Sequence, residues 1–156
     1  GPWGRPDMAY FSFTRDILQG KTIKVFNHGQ MERDFTYVDD IVAAIARLTA
    51  KIPQPNPAWT EADGDLSSSS APYKIYNIGN NNPEKLGYFI EVLEKAIGQV
   101  ANKEFLPMQA GDVPRTYADV SDLARDIDFK PQTSIEDGLA AFVSWYKAYY
   151  KEPKHA

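Results

Sequence analysis

The segment from Lys24 to Leu48 constrains the fold more than any other part of the chain, because a strand pattern, a polar turn and an amphipathic helix follow one another there. The short apolar run 23–26 is typical of a strand. After the turn, Asp39 and Asp40 open a helix, where carboxylates meet unpaired N–H groups. Apolar residues then recur at helical spacing, which predicts one buried helical face: Val38, Ile41, Val42, Ile45 and Leu48.

Arginines in irregular backbone are the second informative feature. Arg33 lies on the predicted connection between this strand and helix, and Arg5 and Arg115 lie in stretches that contain glycine and proline. The planar guanidinium of arginine forms paired hydrogen bonds with phosphate or carboxylate. Three such residues predict a ligand that carries several negative charges. Ordinary ion pairs with neighbouring acids such as Asp7, Asp34 or Asp112 remain the alternative.

Composition excludes several classes of protein. The chain has 156 residues, 43% of them hydrophobic, which is enough for one globular domain. Its net charge of −4 and the absence of a basic run disfavour nucleic acid as a partner. There are no cysteines and only two histidines, so we expect no disulfide and no metal site. No apolar run is long enough to span a bilayer, and we expect a cytoplasmic protein without a membrane partner.

Periodicity predicts an α/β chain that is mostly helical, with about three short strands. The helices are expected at 7–19, 38–48, 86–97, 120–127 and 134–150, and the strands at 23–26, 73–78 and 103–106. Four prolines and a serine run mark 53–72 as a flexible surface loop within the domain, and 151–156 is a charged tail. So thin a sheet requires another layer to pack on. We therefore expect a fragment of a longer chain, since the sequence also begins without methionine.

A complete catalytic set is missing from the sequence. There is no glycine-rich phosphate loop and no serine–histidine–acid combination. Asp39 and Asp40 are explained by their place at a helix start. We accordingly assign no catalytic residue, no cofactor-binding residue and no metal ligand within the chain.

Five motifs resemble the UDP-glucuronate 4-epimerases, which are extended members of the short-chain dehydrogenase/reductase superfamily. In chain order they are GPWGRPDMA at 1–9, FNHG at 26–29, RDFTYVDDI at 33–41, YNIGN at 76–80 and GDVPRTYAD at 111–119. The third motif is shared by many nucleotide-sugar epimerases and dehydratases. The first motif is restricted to a much narrower group of enzymes, and the resemblance to the UDP-glucuronate 4-epimerases in particular depends on it. The resemblance as a whole covers essentially the whole chain except its tail.

The resemblance implies a fold and an activity. Such enzymes hold NAD in an N-terminal Rossmann domain, and a smaller C-terminal region binds the UDP-sugar. Hydride leaves C4 of the sugar and returns to its other face, which interconverts UDP-glucuronate and UDP-galacturonate. Residues 1–150 would be the UDP-sugar-binding domain, with the Rossmann half missing. The tyrosine base, its lysine partner and the NAD-binding glycines would lie upstream of Gly1, so we predict that the chain is inactive by itself.

The resemblance also implies which residues bind the substrate. Arg33 matches a diphosphate-binding arginine and Asp112 an acid that binds the uridine ribose. Arg5 would lie near the sugar carboxylate, although a purely structural loop role is the alternative. The full set is Arg5, Met8, Val25, Phe26, Asn27, Arg33, Gln109, Asp112 and Arg115.

The remaining members of this set have less specific implied roles. The segment 25–27 would lie along the uracil. Gln109 and Arg115 would neighbour the diphosphate or ribose. Met8, with Phe11 or Phe13, would line the nucleotide pocket.

Two other functions stay open at this point. The chain could be a stand-alone domain without activity that binds nucleotides or a partner, or part of a related nucleotide-sugar decarboxylase or dehydratase. The motif 1–9 argues against the second of these. A homodimer or a swapped association of the chain also stays open, because an isolated half would expose the face that packs on its other half.

Overall fold

A computed structural model describes residues 1–150, and the predicted charged tail at 151–156 lies outside the described residues. All five predicted helices are present, with four short strands. In chain order the elements are α1 Ala9–Leu18, β1 Thr22–Val25, β2 Glu32–Asp34, α2 Val38–Leu48, β3 Pro83–Lys85, α3 Leu86–Ile97, β4 Asn102–Phe105, α4 Ser121–Ile127 and α5 Ile135–Tyr149.

Local chemistry explains where the long helices begin and end. Ser134 precedes α5, and its Oγ accepts a hydrogen bond from the backbone N–H of Asp137 at 3.0 Å. The same hydroxyl donates to the Asp137 carboxylate at 2.9 Å. Gly98 ends α3 with a φ of 82°, in the left-handed region that glycine adopts without penalty.

The strands form two separate pairs. Strand β1 runs parallel to β4, with Val25 opposite Phe105, and β2 runs antiparallel to β3, with Arg33 opposite Glu84. The predictions of strands at 23–26 and 103–106 are confirmed to within one residue. Strands β2 and β3 were missed because each has three mostly polar residues, ERD and PEK, without an apolar alternation.

The prediction of a strand at 73–78 is wrong, because this segment does not belong to a sheet. This segment forms one isolated bridge, between Ser68 and Lys74. Its backbone is not in a helix, and its side chains alternate between exposed and half-buried from Tyr73 to Ile78. The β pattern in the sequence is therefore real, but among residues 1–150 the segment has no neighbouring strand to form a ladder.

The main core lies between α1, β1, α3 and α5, where α3 and α5 pack against each other. Its most completely buried side chains are Ile23, Val25, Phe89, Ile90, Leu93, Phe142 and Val143. Phe142 has Phe11 and Tyr146 around it, with ring centroids 6.0 Å away in both cases. Truncating a fully buried phenylalanine costs about 3–5 kcal/mol, so these rings dominate the stability of the chain.

A second, smaller cluster joins α2 to α4. Ala44 and Leu123 are completely buried there, and Tyr76, Ile78 and Leu48 pack on them. The prediction of one buried face along α2 is wrong for three of its five residues. Their exposed fractions are 38% for Val38, 57% for Val42 and 51% for Ile45. The helix packs through its Ala44 side, so about half of its apolar stripe remains uncovered.

The loop 53–72 has internal hydrogen bonds. The Asp65 carboxylate accepts hydrogen bonds from the hydroxyls of Ser67 and Ser68, at 2.7 and 2.5 Å. These bonds, the one from Ser68 first, lower the pKa of Asp65 to about 2. The indole N–H of Trp59 donates to the Asp65 backbone oxygen at 2.9 Å. The flexibility of this loop remains a prediction.

No helix within residues 1–150 is long and apolar enough to cross a membrane.

Candidate functional site

The end of β1 turns sharply toward the loop that follows β4. Asn27 and His28 have φ angles of 47° and 49°, and Gly29 follows at 79°. Asparagine and histidine are among the few residues with side chains that visit this left-handed region readily. The turn is held by the N–H of His28, which donates to the Leu106 carbonyl at 3.2 Å. Val25, Phe26 and Asn27 are thereby placed beside the start of the loop 106–117.

Arg33 lies on strand β2, not on an irregular connection, so the prediction about its backbone is wrong. Pairing with β3 fixes the direction of its side chain. One guanidinium nitrogen, Nη2, lies 2.7 Å from the Asp112 carboxylate, and Nη1 donates to the Glu32 carbonyl at 2.9 Å. Both side chains of the Arg33–Asp112 ion pair are about two-thirds buried. The ion pair therefore joins two segments that are far apart in the sequence.

Backbone hydrogen bonds hold the 112–116 loop against β2. The N–H of Glu32 donates to the Pro114 carbonyl at 2.9 Å, and the N–H of Thr116 donates to the Glu32 carbonyl at 3.2 Å. The Arg115 guanidinium also pairs with the Glu32 carboxylate at 3.1 Å. Gly111, with a φ of 82°, provides the turn that brings Asp112 back to this strand.

Seven of the nine predicted substrate residues lie on these neighbouring segments. They are Val25, Phe26, Asn27, Arg33, Gln109, Asp112 and Arg115. Gln109 is exposed, and its carbonyl accepts from the Asp112 N–H at 3.2 Å. The cluster presents two guanidinium groups, each already beside a carboxylate. A guanidinium has five N–H donors, so Arg33 retains donors for an anionic ligand while it contacts Asp112.

Arg5 and Met8 are on the segment that precedes α1. The Arg5 guanidinium binds the Asp7 carboxylate through two hydrogen bonds, of 2.6 and 3.1 Å. This contact lowers the pKa of Asp7 and raises the pKa of Arg5. Both side chains remain mostly exposed, at 73% and 63%. Within residues 1–150, no hydrogen bond or ion pair joins Arg5 to Arg33 or Asp112.

The aromatic residues of α1 have mainly structural places. Phe11 is buried in the main core, where its ring lies 5.3 Å from that of Tyr146. Phe13 is half-buried beside Phe89, with ring centroids 6.4 Å apart. Met8 is 44% exposed, immediately before the helix. Of these three residues, Met8 is the one available to a ligand at the surface.

Asp34 is a supporting residue whose structural role the sequence reasoning missed. Its carboxylate accepts hydrogen bonds from the backbone N–H groups of Asn81 and Ala118, at 3.0 and 3.3 Å. It thus ties the turn before β3 and the loop after Arg115 to strand β2. The run of three asparagines at 80–82 was the available signal, because such turns expose N–H groups that need an acceptor.

Asp40 also has a partner beyond its own helix. Its carboxylate accepts a hydrogen bond from the N–H of Thr133 at 3.0 Å. It therefore holds the segment before α5 against the start of α2, in addition to its favourable position in the first helical turn.

An apolar cavity of about 120 Å³ lies between the chain start, the segment before α2 and the start of α5. It is lined by Gly1, Tyr10, Phe35, Thr36, Tyr37, Phe89, Thr133, Ser134, Ile135, Gly138, Leu139 and Phe142. None of the nine predicted substrate residues belongs to this lining. In the part of the chain that the structure describes, no three histidine, aspartate or glutamate side chains are grouped to hold a metal ion.

Comparison with known proteins gives the relatives of this chain. It is 59% identical over 152 residues to Protein CapI of Staphylococcus aureus, covering 97% of this chain and 46% of that protein. It is 45% identical over 152 residues to the Probable UDP-glucuronate 4-epimerase of Rhizobium meliloti, covering 97% and 45%. The crystal structure of UDP-Glucuronic acid 4-epimerase from Bacillus cereus in complex with UDP-Glucuronic acid and NAD is similar, with a TM-score of 0.76 at 29% identity, over 96% of this chain and 43% of that one.

The chain thus spans less than half the length of the curated relatives it matches. A family model described as "NAD dependent epimerase/dehydratase family" matches residues 1–79, which is just over half of the 156 residues. That match includes β1, β2 and α2, and therefore Arg33 and its immediate neighbours. On this evidence the chain belongs to the NAD dependent epimerase/dehydratase family.

Proposed function

We propose that the chain is the C-terminal, nucleotide-sugar-binding part of a UDP-glucuronate 4-epimerase. The observation that carries the proposal is the contact between Arg33 and Asp112, which brings two predicted substrate residues within 2.7 Å across two segments. The relatives named for this activity support the choice of reaction. Residues 1–150 would form the substrate-binding domain of the longer enzyme.

The geometry of the Arg33 cluster suits the nucleotide end of the substrate. Arg33 offers a positive, partly buried group to a diphosphate, and such charge-assisted hydrogen bonds are the stronger ones in proteins. The Asp112 carboxylate is an acceptor for ribose hydroxyls. When a diphosphate arrives, it competes with Asp112 for Arg33, so that Asp112 turns its free lone pairs to the ribose. Phe26 and Asn27, on the turn 26–29 that bonds to the Leu106 carbonyl through His28, would contact the base.

Arg5 suits the sugar end. A glucuronate carboxylate has the shape and charge of the Asp7 carboxylate that Arg5 already holds in a paired contact. A neutral sugar offers Arg5 no such partner. We therefore assign the preference for UDP-glucuronate to Arg5, which would exchange Asp7 for the substrate.

The chemistry of the reaction would depend on groups outside this chain. Bound NAD would supply the acceptor and donor for the C4 hydride. The residues of this chain would bind the UDP end and the carboxylate, so that C4 is held in one place relative to the cofactor. Binding energy from parts of a substrate that do not react is a large source of rate enhancement.

A hybrid enzyme tests this proposal. In the hybrid, this chain replaces the segment of the Rhizobium meliloti relative to which it aligns. We expect the purified hybrid to interconvert UDP-glucuronate and UDP-galacturonate with NAD, and not to interconvert UDP-glucose and UDP-galactose at a comparable rate. The unmodified relative is the control, and the isolated chain with added NAD is expected to be inactive.

A folded hybrid that binds NAD but prefers UDP-glucose would overturn the proposed substrate. A hybrid that folds and binds no UDP-sugar, beside an active control, would overturn the proposed role of the chain.

A further inference from the structure

Strand β2 carries opposite charges on its two faces. Successive side chains of a strand point to opposite sides, so Glu32 and Asp34 share one face, the acid face, and Arg33 lies on the other. The sulfur of Met31, two residues before Arg33, lies 3.8 Å from the Arg33 guanidinium and is thus on the same face as that cation. The strand therefore separates the contact between Arg33 and Asp112 from its own two acids.

Arg115 lies on the acid face and not beside Arg33. The backbone of Glu32 bonds to Pro114 and Thr116, at 2.9 and 3.2 Å. Arg115 is therefore the residue directly opposite Glu32 in a parallel bridge. Side chains of directly opposite residues extend from the same side of a sheet, and Nε of Arg115 indeed lies 3.1 Å from the Glu32 carboxylate.

The acid face fastens the loop after β4 at two points. The first is the ion pair between Glu32 and Arg115. Three residues later, the N–H of Ala118 donates to the Asp34 carboxylate at 3.3 Å. The ring of Tyr117 also lies 5.4 Å from the guanidinium carbon of Arg115. The charge of Arg115 is thus directed to an acid and a ring on this side of the strand.

We propose that Glu32 is a positioning residue of the nucleotide site, with Arg115 as its partner, and that Arg115 does not contact the diphosphate. Through Arg115, Glu32 keeps the loop closed on β2. Asp112 then reaches Arg33 on the other face and is aligned for the ribose. The inference rests on the proposed function for the identity of the ligand, whereas the position of the loop can be measured without any ligand.

Exchanging the two charges tests the proposal. In the hybrid, Arg115→Glu and Glu32→Arg each oppose two like charges, and each should weaken UDP binding by about 5- to 10-fold. The double variant restores the ion pair in reverse, so its affinity for UDP should return to within about twofold of the unsubstituted hybrid. If Arg115 contacts the diphosphate, the double variant still places a carboxylate there. A double variant that binds UDP as weakly as Arg115→Glu would overturn the proposal.

Arg125→Glu is the matched control for Arg115→Glu. Both arginines are exposed and paired with an acid, with exposed fractions of 58% for Arg115 and 62% for Arg125, whose partner is Asp126 at 2.9 Å. UDP affinity of the control should stay within about twofold of the unsubstituted hybrid. Equal losses in Arg125→Glu and Arg115→Glu would overturn the proposal, because they would show a general effect of added negative charge.

Melting temperatures separate positioning from stability. The titrations are made at a temperature at which circular dichroism shows every variant to be folded. If Arg115→Glu and Glu32→Arg melt earlier but bind UDP with unchanged affinity, the ion pair only stabilises the fold, and the positioning role is overturned.

Hydrogen exchange without ligand separates this inference from the proposed function. The N–H of Val113 donates to the Asp112 carboxylate at 2.8 Å, and the N–H of Thr116 donates to the Glu32 carbonyl. In the hybrid, Glu32→Gln should speed exchange of both amides by about 5- to 10-fold and leave that of Asn81, which Asp34 holds, unchanged. Unchanged exchange at Val113 and Thr116 would overturn the positioning role. Faster exchange in a hybrid that binds no UDP would support it while the proposed function fails.

Discussion

Arg33 and Arg5 have the same side chain and very different surroundings. Arg33 lies on a paired strand, is about two-thirds buried, and contacts an acid 79 positions away in the sequence. Arg5 lies in a loop, is mostly exposed, and binds an acid two positions away. The fold therefore fixes Arg33, whereas local sequence alone holds Arg5.

The two settings suit different tasks. An exposed ion pair contributes about 0–1 kcal/mol, so a substrate carboxylate can replace Asp7 at little cost. The Arg33 pair is closed by backbone hydrogen bonds between β2 and the 112–116 loop, so its position is prepared before any ligand arrives. We expect the rigid arginine to determine nucleotide affinity and the exposed one to determine the choice of sugar.

The largest expected effect comes from removing Phe89, a core side chain that packs next to strand β2, which carries Arg33. Phe89 is 1% exposed, and its ring stacks on Phe35, one residue after β2, at 4.8 Å. Phe89→Ala should lower the free energy of unfolding of the isolated chain by about 3–5 kcal/mol, because it leaves a cavity in the core. Urea unfolding followed by circular dichroism measures this change.

The neighbouring exposed ring is the control. Tyr88→Phe loses one hydrogen bond to Glu136 and should cost about 1 kcal/mol or less. Suppose that Phe89→Ala lowers the free energy of unfolding no more than Tyr88→Phe does. The contact between Phe89 and Phe35 would then not hold strand β2 in place, which would contradict the view that the fold fixes Arg33 more firmly than Arg5.

The second effect concerns Arg33 directly. Arg33→Ala in the hybrid should weaken UDP binding by about 10- to 100-fold, the range for charge-assisted hydrogen bonds. Arg33→Lys should recover part of this loss, because lysine restores the charge but not the planar fork. Isothermal titration with UDP measures both variants.

Arg47→Ala is the matched control for Arg33. Arg47 lies over Phe129, with its guanidinium carbon 4.7 Å from the ring centroid, and contacts no predicted substrate residue. UDP affinity should stay within about twofold of the unsubstituted hybrid, which is the change expected of a surface site. Similar losses in both variants would show a general loss of positive charge and not a specific site.

A smaller and more selective effect is expected at Arg5. Arg5→Ala should weaken binding of UDP-glucuronate by about 5- to 10-fold, because one exposed charge-assisted contact to the carboxylate is lost. Binding of UDP-glucose should change by less than about twofold, since that sugar has no carboxylate. Competition titrations with the two sugars measure the difference. If both sugars lose affinity equally, Arg5 has a structural role in the loop.

The smallest expected effect concerns the pH dependence of stability through Tyr76, and it should not change ligand binding by Arg33 or Arg5. Burial, and then the hydrogen bond to Asp126 at 2.8 Å, raise the pKa of Tyr76 to about 12. In the unfolded chain the pKa is about 10. The folded state therefore holds this proton more tightly, and its contribution to stability is complete below pH 10 and decreases as the pH rises toward 12.

Tyr76→Phe removes this titration. The urea midpoint of the isolated chain should fall less between pH 9 and pH 11 in the variant than in the unsubstituted protein. An identical fall in both would show that Tyr76 does not contribute to the pH dependence. UDP affinity of the hybrid at pH 7 should not change, because Tyr76 lies in the small cluster and not beside Arg33.

The sequence predicted the parts of the fold whose signals are local. The spacing of apolar residues located all five helices, a short apolar run indicated strand β1, and strand β4 was predicted to within one residue. Strand β2 could not be predicted, because the residues around Arg33 are polar and their pairing with Glu84 is visible only in three dimensions. Because of this pairing, Arg33 lies on a strand and not in the loop that the sequence predicted.

Two errors have a common cause. The stripe of α2 was expected to be buried, and 73–78 was expected to pair with other strands. In both cases the periodicity is present in the sequence, but within residues 1–150 no element covers Val42 and Ile45 and no strand forms a ladder with 73–78. For the site, the resemblance of the motifs predicted both Arg33 and Asp112, but their contact is visible only in the fold. The structural role of Asp34 is likewise visible only in the hydrogen bonds that its carboxylate accepts.

A double variant of the hybrid tests the central claim most directly, which is that Arg33 and Arg5 act on opposite ends of one substrate. UDP and UDP-glucuronate are titrated against Arg33→Ala, Arg5→Ala and the combination. We predict that UDP affinity falls equally in Arg33→Ala and in the double variant, and that the loss for UDP-glucuronate in the double variant is the product of the two single losses, as for independent sites. A loss of UDP affinity in Arg5→Ala as large as in Arg33→Ala would contradict the claim.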